Sequence, residues 1–520
     1  MKRQRNSRAR SLAFKASLLV LGLIGVSKVL VAGAPSVTLK QVEARSDALA
    51  AIKRMGGSVG TAKDSGASGD EDRVEQIFLR DCNVHDPDLA ILCKFPELER
   101  VYLQANPISD RGMDAVAPLK KLEVLDLDNT RITSRGLARI GCLPKLVSIS
   151  LESTDIDDSA AETLSTWPSL YSCSLDETRV SDQFIQRISG LKKIRSLSFN
   201  DTRLGDKGLA VCAGWPGLEN LHLSGTRVTD IGLVRLAKLS KLKSLYLEDT
   251  RVSDVGLAGL ADKPGLEHLD LSGTDVQGAG LAHLAGSTRE WMDLNLSRTQ
   301  VDDAGFRCLP ALENLKSLDL SGTKVGDASA DHFGTLKGLN YLLLADTQVG
   351  DAVLAQLAVV AEFNKRDYAN GKMTDMGLAQ AGDEPNLAHL DLSNTKVTDA
   401  GLAHLVKLKG LHDLNLHGTA VTNAGLVHLK GLTDHAKLNL SKSRVNDAGM
   451  VHLREVKTLN ILDLSNTALT DAGLDVLADC DRFPNLSWLI LKNTRTTAAR
   501  TRKLLAEYHS RGRLYLRIDR

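Results

Sequence analysis

Three histidines, His404, His428 and His452, return at one spacing of 24 residues. Imidazoles stacked in that way can ligate a metal. No cysteine or carboxylate stands beside them at ligand spacing, however, and a repeat with that period produces the coincidence by itself. Cys82, Cys93, Cys142, Cys173, Cys212, Cys308 and Cys480 are odd in number and form no CxxC. They read as buried thiols: Cys173 and Cys212 stand where a strand and a helix carry leucine, so packing explains them better than a disulfide framework. There is no GxSxG, no HExxH and no phosphate-cradling glycine loop. The expectation is therefore no catalytic group, no cofactor and no metal. What remains is recognition chemistry, a recurring set of acids interleaved with a few aromatic rings.

The elements that must position these side chains are read from the period. From Val74 onward the phrase LxxLxLxxT closes at 82, 106, 130, 154, 178, 202, 226, 250, 274, 299, 323, 347, 371, 395, 419, 443, 467 and 494. Fifteen of the seventeen intervals are 24 residues, and the exceptions are 25 and 27. A period held this well means that each unit stacks on the one before it. In Leu242 to Lys263, Leu245 and Leu247 alternate with Ser244, Tyr246 and Glu248, the period of two of a strand with one buried face. Asp254, like Asp230, Asp303, Asp399, Asn423 and Asp471, is expected to cap the helix that follows. Leu257 and Leu260 then share one helical face. Strands in one parallel sheet with helices behind them predict an α/β solenoid, a curved horseshoe or arc with strands on the concave face and helices on the convex face.

Threonine closes fourteen of the eighteen phrases, with Cys82, Asn106, Gly371 and Ser443 in the others. A buried hydroxyl needs a partner, and a ladder to the backbone of the neighbouring turn would supply it. The full phrase LxxLxLxxTxVTDAGLxxL, as in Leu390 to Leu405, resembles the leucine-rich-repeat superfamily. It is most similar to the ribonuclease-inhibitor-like and F-box-associated class and to bacterial tandem-repeat proteins. That resemblance covers 74–494 and implies a protein that binds other proteins.

Residues 1–33 hold seven Lys or Arg and no acid, so the chain carries +1 with them and −6 without them. Such a balance excludes nucleic-acid binding by a basic surface. The basic flank, the apolar run Leu18 to Val26 and the small residues Ala32 to Ala34 have the layout of a secretory signal or an uncleaved membrane anchor over 1–34. Residues 35–73 read as an N-terminal cap, with a helix from Ser46 to Met55 and a loop from Gly56 to Asp72. Residues 74–494 form the array of about 18 units. Residues 495–520 form a C-terminal cap, with a helix from Thr497 to His509 and a strand from Leu514 to Ile518.

Outward strand positions should face the arc's inside, where a partner meets them first. The candidates are Tyr102, Asp126, Asp128, Glu152, Asp176, His222, Tyr246, Glu248 and Asp270, with the rings as anchors. A basic residue follows the closing position in ten units: Arg131, Arg179, Arg203, Arg227, Arg251, Lys324, Lys372, Lys396, Arg444 and Arg495. Acids just before it (Glu177, Asp201, Asp249) suggest surface pairs along one rim, each worth about 0–1 kcal/mol. The pattern breaks at Phe363 to Tyr368, where Arg366 and Tyr368 replace leucines, and again before Trp291, where one residue is inserted. The function expected is an exported, non-catalytic scaffold for a protein or cell-envelope component, with membrane contact only through the N-terminal anchor. The alternative is a self-assembling structural component of the envelope.

Overall fold

The computed structural model describes residues 45–61, 73–261, 263–286, 291–357, 363–380, 386–408, 410–431, 436–512 and 516–520. The expected signal or anchor over 1–34 lies outside them. Among the described residues no helix is long and apolar enough to cross a membrane.

Among the described residues every unit contributes a strand, of five residues in the first unit and three in the others, to one open sheet of twenty strands, and leucine meets leucine along it: Leu221 pairs with Leu245, and Leu245 with Leu269. The insertion before Trp291 leaves this register intact, since Leu269 pairs with Leu294. The interval of 27 is absorbed in the same way, with Leu462 against Leu489. Extra residues are thus confined to the connections, because a slip of one would turn every core side chain outward. Each unit advances the sheet by one strand spacing of about 4.8 Å. Helical segments are about 10 Å across, so their side of the stack is longer and the strands take the inside of the arc. Those segments are short, partly α-helix (Asp206–Cys212) and partly 3₁₀ (Gly256–Leu260). A single apolar core runs from Ala48 to Leu516.

Both ends of the core are covered. The helix Arg45–Arg54 buries Ala48, Ala51 and Ile52. Part of the expected loop after it is a strand, Ser58–Thr61, which pairs antiparallel with Val74–Phe78 and occupies the sheet's first edge. The C-terminal helix Ala498–Ser510 begins on Thr497, whose hydroxyl accepts from the Arg500 amide, and Tyr508 donates to the Leu477 carbonyl at 2.9 Å. The final strand, Arg517–Asp519, pairs with Trp488–Ile490.

The consensus letters have distinct mechanical roles. In the unit of Thr250, the residue before it, Asp249, has φ 55°, a left-handed conformation that Asp, Asn and Gly tolerate best. Thr250 then closes the turn on itself: its hydroxyl donates to the Leu247 carbonyl at 2.7 Å, as does its amide at 3.2 Å. The hydroxyl ladder is therefore internal to each unit and does not run to the neighbouring turn. Asn106 alone reaches across, donating to Leu79 O and accepting from the Cys82 and Val84 amides. Acids before the threonine answer to this backbone need more than to rim pairing. Of the ten basic residues, Arg179 pairs with Asp155 at 2.7 Å, and the other nine form no ion pair among the described residues.

The repeated aspartate is not the helix cap either. Thr229, one residue earlier, caps by accepting from the Ile231 amide. Asp230 instead reaches forward, taking the Ser253 amide and hydroxyl of the next unit, both at 2.7 Å. The glycine of the phrase makes room for this clamp: a Cβ on Gly256 would lie 2.5 Å from Asp230 Oδ1. The letters T, D and G in TDAGL thus encode a cap, a forward clamp and the space that the preceding clamp occupies.

Candidate binding surface

The inner face of the sheet carries three rows of outward side chains, and its character changes along the array. Around the strands Ser172–Ser174 and Ser196–Ser198 every position is buried, the serines included. From Asp293–Asn295 to Trp488–Ile490 the outward positions are half-buried or exposed.

Three of the sequence candidates lie in or beside the closed stretch and do not face solvent as expected. Asp128 is 3% exposed and accepts from the Ser150 hydroxyl at 2.6 Å and the Glu152 amide at 2.8 Å. Asp176 is 5% exposed and accepts from the Ser198 hydroxyl and from the Asn200 amide and side chain, the last two at 2.9 Å. Burial pushes its pKa up to about 7, and those donors only partly oppose the shift. His222 is 2% exposed, and burial lowers its pKa to about 3, which keeps it neutral. Its ring stacks on Tyr246 with centroids 4.3 Å apart. A polar side chain at an outward position can thus be part of the fabric when neighbouring units close around it.

The remaining candidates are half-buried. Tyr102 stacks on Phe78 at 4.9 Å and 5°, and burial raises its pKa. Asp126 accepts from the Asp128 amide at 3.1 Å, and Glu152 stands one unit further along. Burial raises the Tyr246 phenol to about 12. Glu248 is held by Arg298 at 2.9 Å. Asp270 accepts from the Ser272 amide at 2.8 Å and from Asn295 at 3.1 Å, and burial raises its pKa. The nine candidates are spread over seven units and do not converge on one point.

Sequence reading stopped short of the more open surface. The row of Asp270 continues as Asn295 and Asp319, is interrupted by Leu343, and resumes as Asp367, Asp391, Asn415, Asn439 and Asp463, each of these acids and amides holding the amide two residues on in its own unit. Beside it lies a shallow concavity of about 240 Å³, lined by Lys365, Asp367, His389, Asp391, Asp413, Asn415 and others. His389 approaches Asp413 at 3.2 Å, with Lys437 at 3.7 Å from the same carboxylate. Asp367 is raised in pKa by burial first and by Asp391 and Asp319 after it. The strand phrase LDLS, which recurs at Leu269, Leu318, Leu390 and Leu462, was the available signal.

Elsewhere, Arg366 is buried at a leucine position, 4.0 Å over the Phe363 ring, and donates to Leu357 O at 3.3 Å. The three histidines of the helical side are half-buried, and no group of three or more potential ligands gathers for a metal among the described residues. The thiols are mixed: Cys173, Cys212 and Cys480 are buried, Cys82 is intermediate, and Cys93, Cys142 and Cys308 are exposed, contrary to expectation. Those three stand near the ends of helical segments, where the apolar face has run out.

A family model described as Leucine Rich repeat matches residues 264–285, 311–332, 385–406 and 457–478. No curated protein matches the sequence. Among solved structures, the chain is similar to an internalin from Listeria monocytogenes at 20% identity, covering 74% of this chain and 88% of that one with a TM-score of 0.40. A leucine-rich-repeat protein of Leptospira interrogans is 19% identical over 82% of this chain and 91% of its own, with a TM-score of 0.43. The ectodomain of the Arabidopsis receptor kinase HAESA, solved with a peptide hormone, is 15% identical over 87% and 83%, with a TM-score of 0.45. With leucine stacked on leucine through one open parallel sheet and four of its units matched by the family's own pattern, this chain is a leucine-rich-repeat protein.

Proposed function

We propose that the chain is a non-catalytic binding scaffold that holds a protein or cell-envelope partner against the inner face of the arc, over the strands from Asp293 to Asn439. The observation that carries this reading is the contrast along that face. The middle strands bury their outward residues, whereas this stretch presents half-exposed acids, amides, His389 and Lys437 around a concavity. A polar surface of this kind suits recognition, in which a few central residues supply most of the binding energy. The basic and apolar N-terminal segment supports export, either cleaved as a signal or retained as an anchor.

The test is partner capture by cross-linking and mass spectrometry in native cells, followed by titration of the purified pair. Asp391→Lys with Asp413→Lys should weaken binding at least tenfold, whereas Glu455→Lys on the helical side should leave it unchanged. Equal indifference to both would move the site off the inner face. One observation favours the alternative, self-assembly in the envelope: Ile231 and Val255, 68% and 71% exposed, lie in neighbouring units. Concentration-dependent growth in light scattering, abolished by Ile231→Ser with Val255→Ser, would select it.

A further inference from the structure

The forward clamps are not uniform along the array. Asp86 to Ser109, Asp110 to Thr133, Asp158 to Ser181, Asp206 to Thr229 and Asp230 to Ser253 are each made twice, through amide and hydroxyl. Ser134 and Asp157 form a reversed version, also with two bonds. Asp182 finds Gly205, which offers only its amide. From Asp351 onward every joint is again double, to Thr374, Thr398, Thr422, Asn446, Thr470 and Thr497.

Between these two arms lie four consecutive joints of a different kind. Asp254 holds only the Gly278 amide, at 2.9 Å. The next joint has Gly278 where the aspartate should be, and Asp302 turns back to cap its own helix through the Gly305 amide. Asp303 then holds only the Gly326 amide at 2.7 Å, and Asp327 only that of Gly350 at 2.8 Å. Two of the receiving positions hold glycines, Gly326 and Gly350, which supply no hydroxyl, and in the first joint Asp254 passes over Gln277 to the Gly278 amide. Gly326 supplies no side-chain cap either. The same stretch contains the array's one-residue insertion.

One surface interaction spans the first two of these joints, including the one with no clamp. Arg298 reaches back over a whole unit to Glu248 at 2.9 Å and Asp249 at 3.2 Å. The guanidinium is about half exposed, so salt screens this ion pair, whereas the part-buried clamps are hydrogen bonds to amides and hydroxyls and carry no such pair.

We infer that the units closing at Thr274, Thr299, Thr323 and Thr347 form a compliant segment over which the arc changes curvature, with the Arg298 strap holding the closed curvature at low ionic strength. In a solenoid the core of each unit packs only on its neighbours, so a local deficit in joint strength is not averaged away by the rest of the fold. Bending collects where the coupling between units is weakest, and that place is fixed here by Gly326 and Gly350 in the receiving position and by Gly278 in place of the aspartate. The inference does not depend on the partner or on where it binds.

Hydrogen exchange on the full chain, together with small-angle scattering, tests it. Amides of Gly278, Gly326 and Gly350 should exchange at least tenfold faster than those of Ser253, Thr374 and Thr398. Arg298→Ala should raise the radius of gyration at low salt, and salt should have that effect on the parent protein but none on the variant. Gly326→Ser should restore a double clamp with Asp303 and slow local exchange at least threefold, with Gln348, whose Cβ would lie 3.1 Å from the new one, giving way slightly; Gly350 is left unchanged because a Cβ there would lie 2.8 Å from Asp327 Oδ2. Gly205→Ser, whose Cβ meets nothing closer than 3.6 Å, strengthens a joint in the stiff arm and should leave the scattering unchanged. Even protection along the array, or an Arg298→Ala protein with unaltered dimensions and unaltered salt response, would overturn the inference.

Discussion

The units of Thr250 and Gly371 occupy the same kind of place in the sheet with very different side chains. In the first, Leu245 and Leu247 are wholly buried and Thr250 closes the turn with its hydroxyl. In the second, Arg366 and Tyr368 fill the leucine positions and Gly371 has no hydroxyl to give. Nevertheless the strand keeps its register, with Arg366 between Leu342 and Leu390, and the Gly371 amide still donates to Tyr368 O at 3.0 Å. Backbone pairing on both sides therefore imposes the shape of a unit whose own side chains specify it poorly. Specification in a solenoid is shared with the neighbours.

The largest effect that could break this comparison is a change of core volume. Leu245→Ala should cost about 2–5 kcal/mol, because the cavity relaxes only in part. Arg366→Leu should do the reverse, leaving stability unchanged or raising it by up to about 4 kcal/mol, as when apolar residues replace buried ionic groups. Hydrogen exchange of the strands on either side is the appropriate measurement, since long arrays open in parts. If Arg366→Leu destabilised its strand as much as Leu245→Ala does, the guanidinium would be an organising element of that unit, and the neighbours would not suffice.

A second contrast sets two buried titratable groups of the closed inner face against each other. Asp176 has its folded pKa raised to about 7, so its share of stability is complete below the ordinary carboxylate range and is lost as pH rises through 7. His222 has its folded pKa lowered to about 3, so its share is present above the ordinary histidine range and is lost as pH falls toward 3. Over the acidic window the two slopes oppose, and the protein should show little net dependence from these groups. Asp176→Asn removes one of them. Its oxygen can still accept from Ser198 and the Asn200 amide, although its new amide faces that of Asn200. The variant's stability should rise with pH between about 4 and 6.5, the span between the ordinary carboxylate and imidazole values. Thermal melts across that window decide it, and a flat profile in the variant would mean that His222 is not neutral in the fold.

Much of this was legible beforehand because it is local. The period, the alternating leucines and the run of threonines lie within one unit, and they are enough to give strand, turn and helical segment. What escaped is relational. Asp230 looks like a cap because capping is the familiar local use of an aspartate there, but its partners lie 23 residues further on. Asp128 and Asp176 look exposed because alternation places them outward, yet their burial is decided by residues 22 to 24 positions away. The strand Ser58–Thr61 was hidden in a glycine- and serine-rich run with little β propensity of its own, and it forms because Val74–Phe78 offers an open edge.

The smallest effect comes from the most repeated residue. Thr250→Val keeps the shape of the side chain and removes one hydroxyl donor, while Leu247 O continues to accept the backbone amide at 3.2 Å. The carbonyl is not orphaned, so the loss should be about 1 kcal/mol, the net worth of an ordinary hydrogen bond. Thr250→Gly should cost more than Thr250→Val, because it adds backbone freedom to the unfolded chain on top of the lost bond. The unit of Gly371 shows that such a turn still forms. If Thr250→Val cost several kcal/mol, the hydroxyls would be coupled along the array, and the turns could not be treated as closed within each unit.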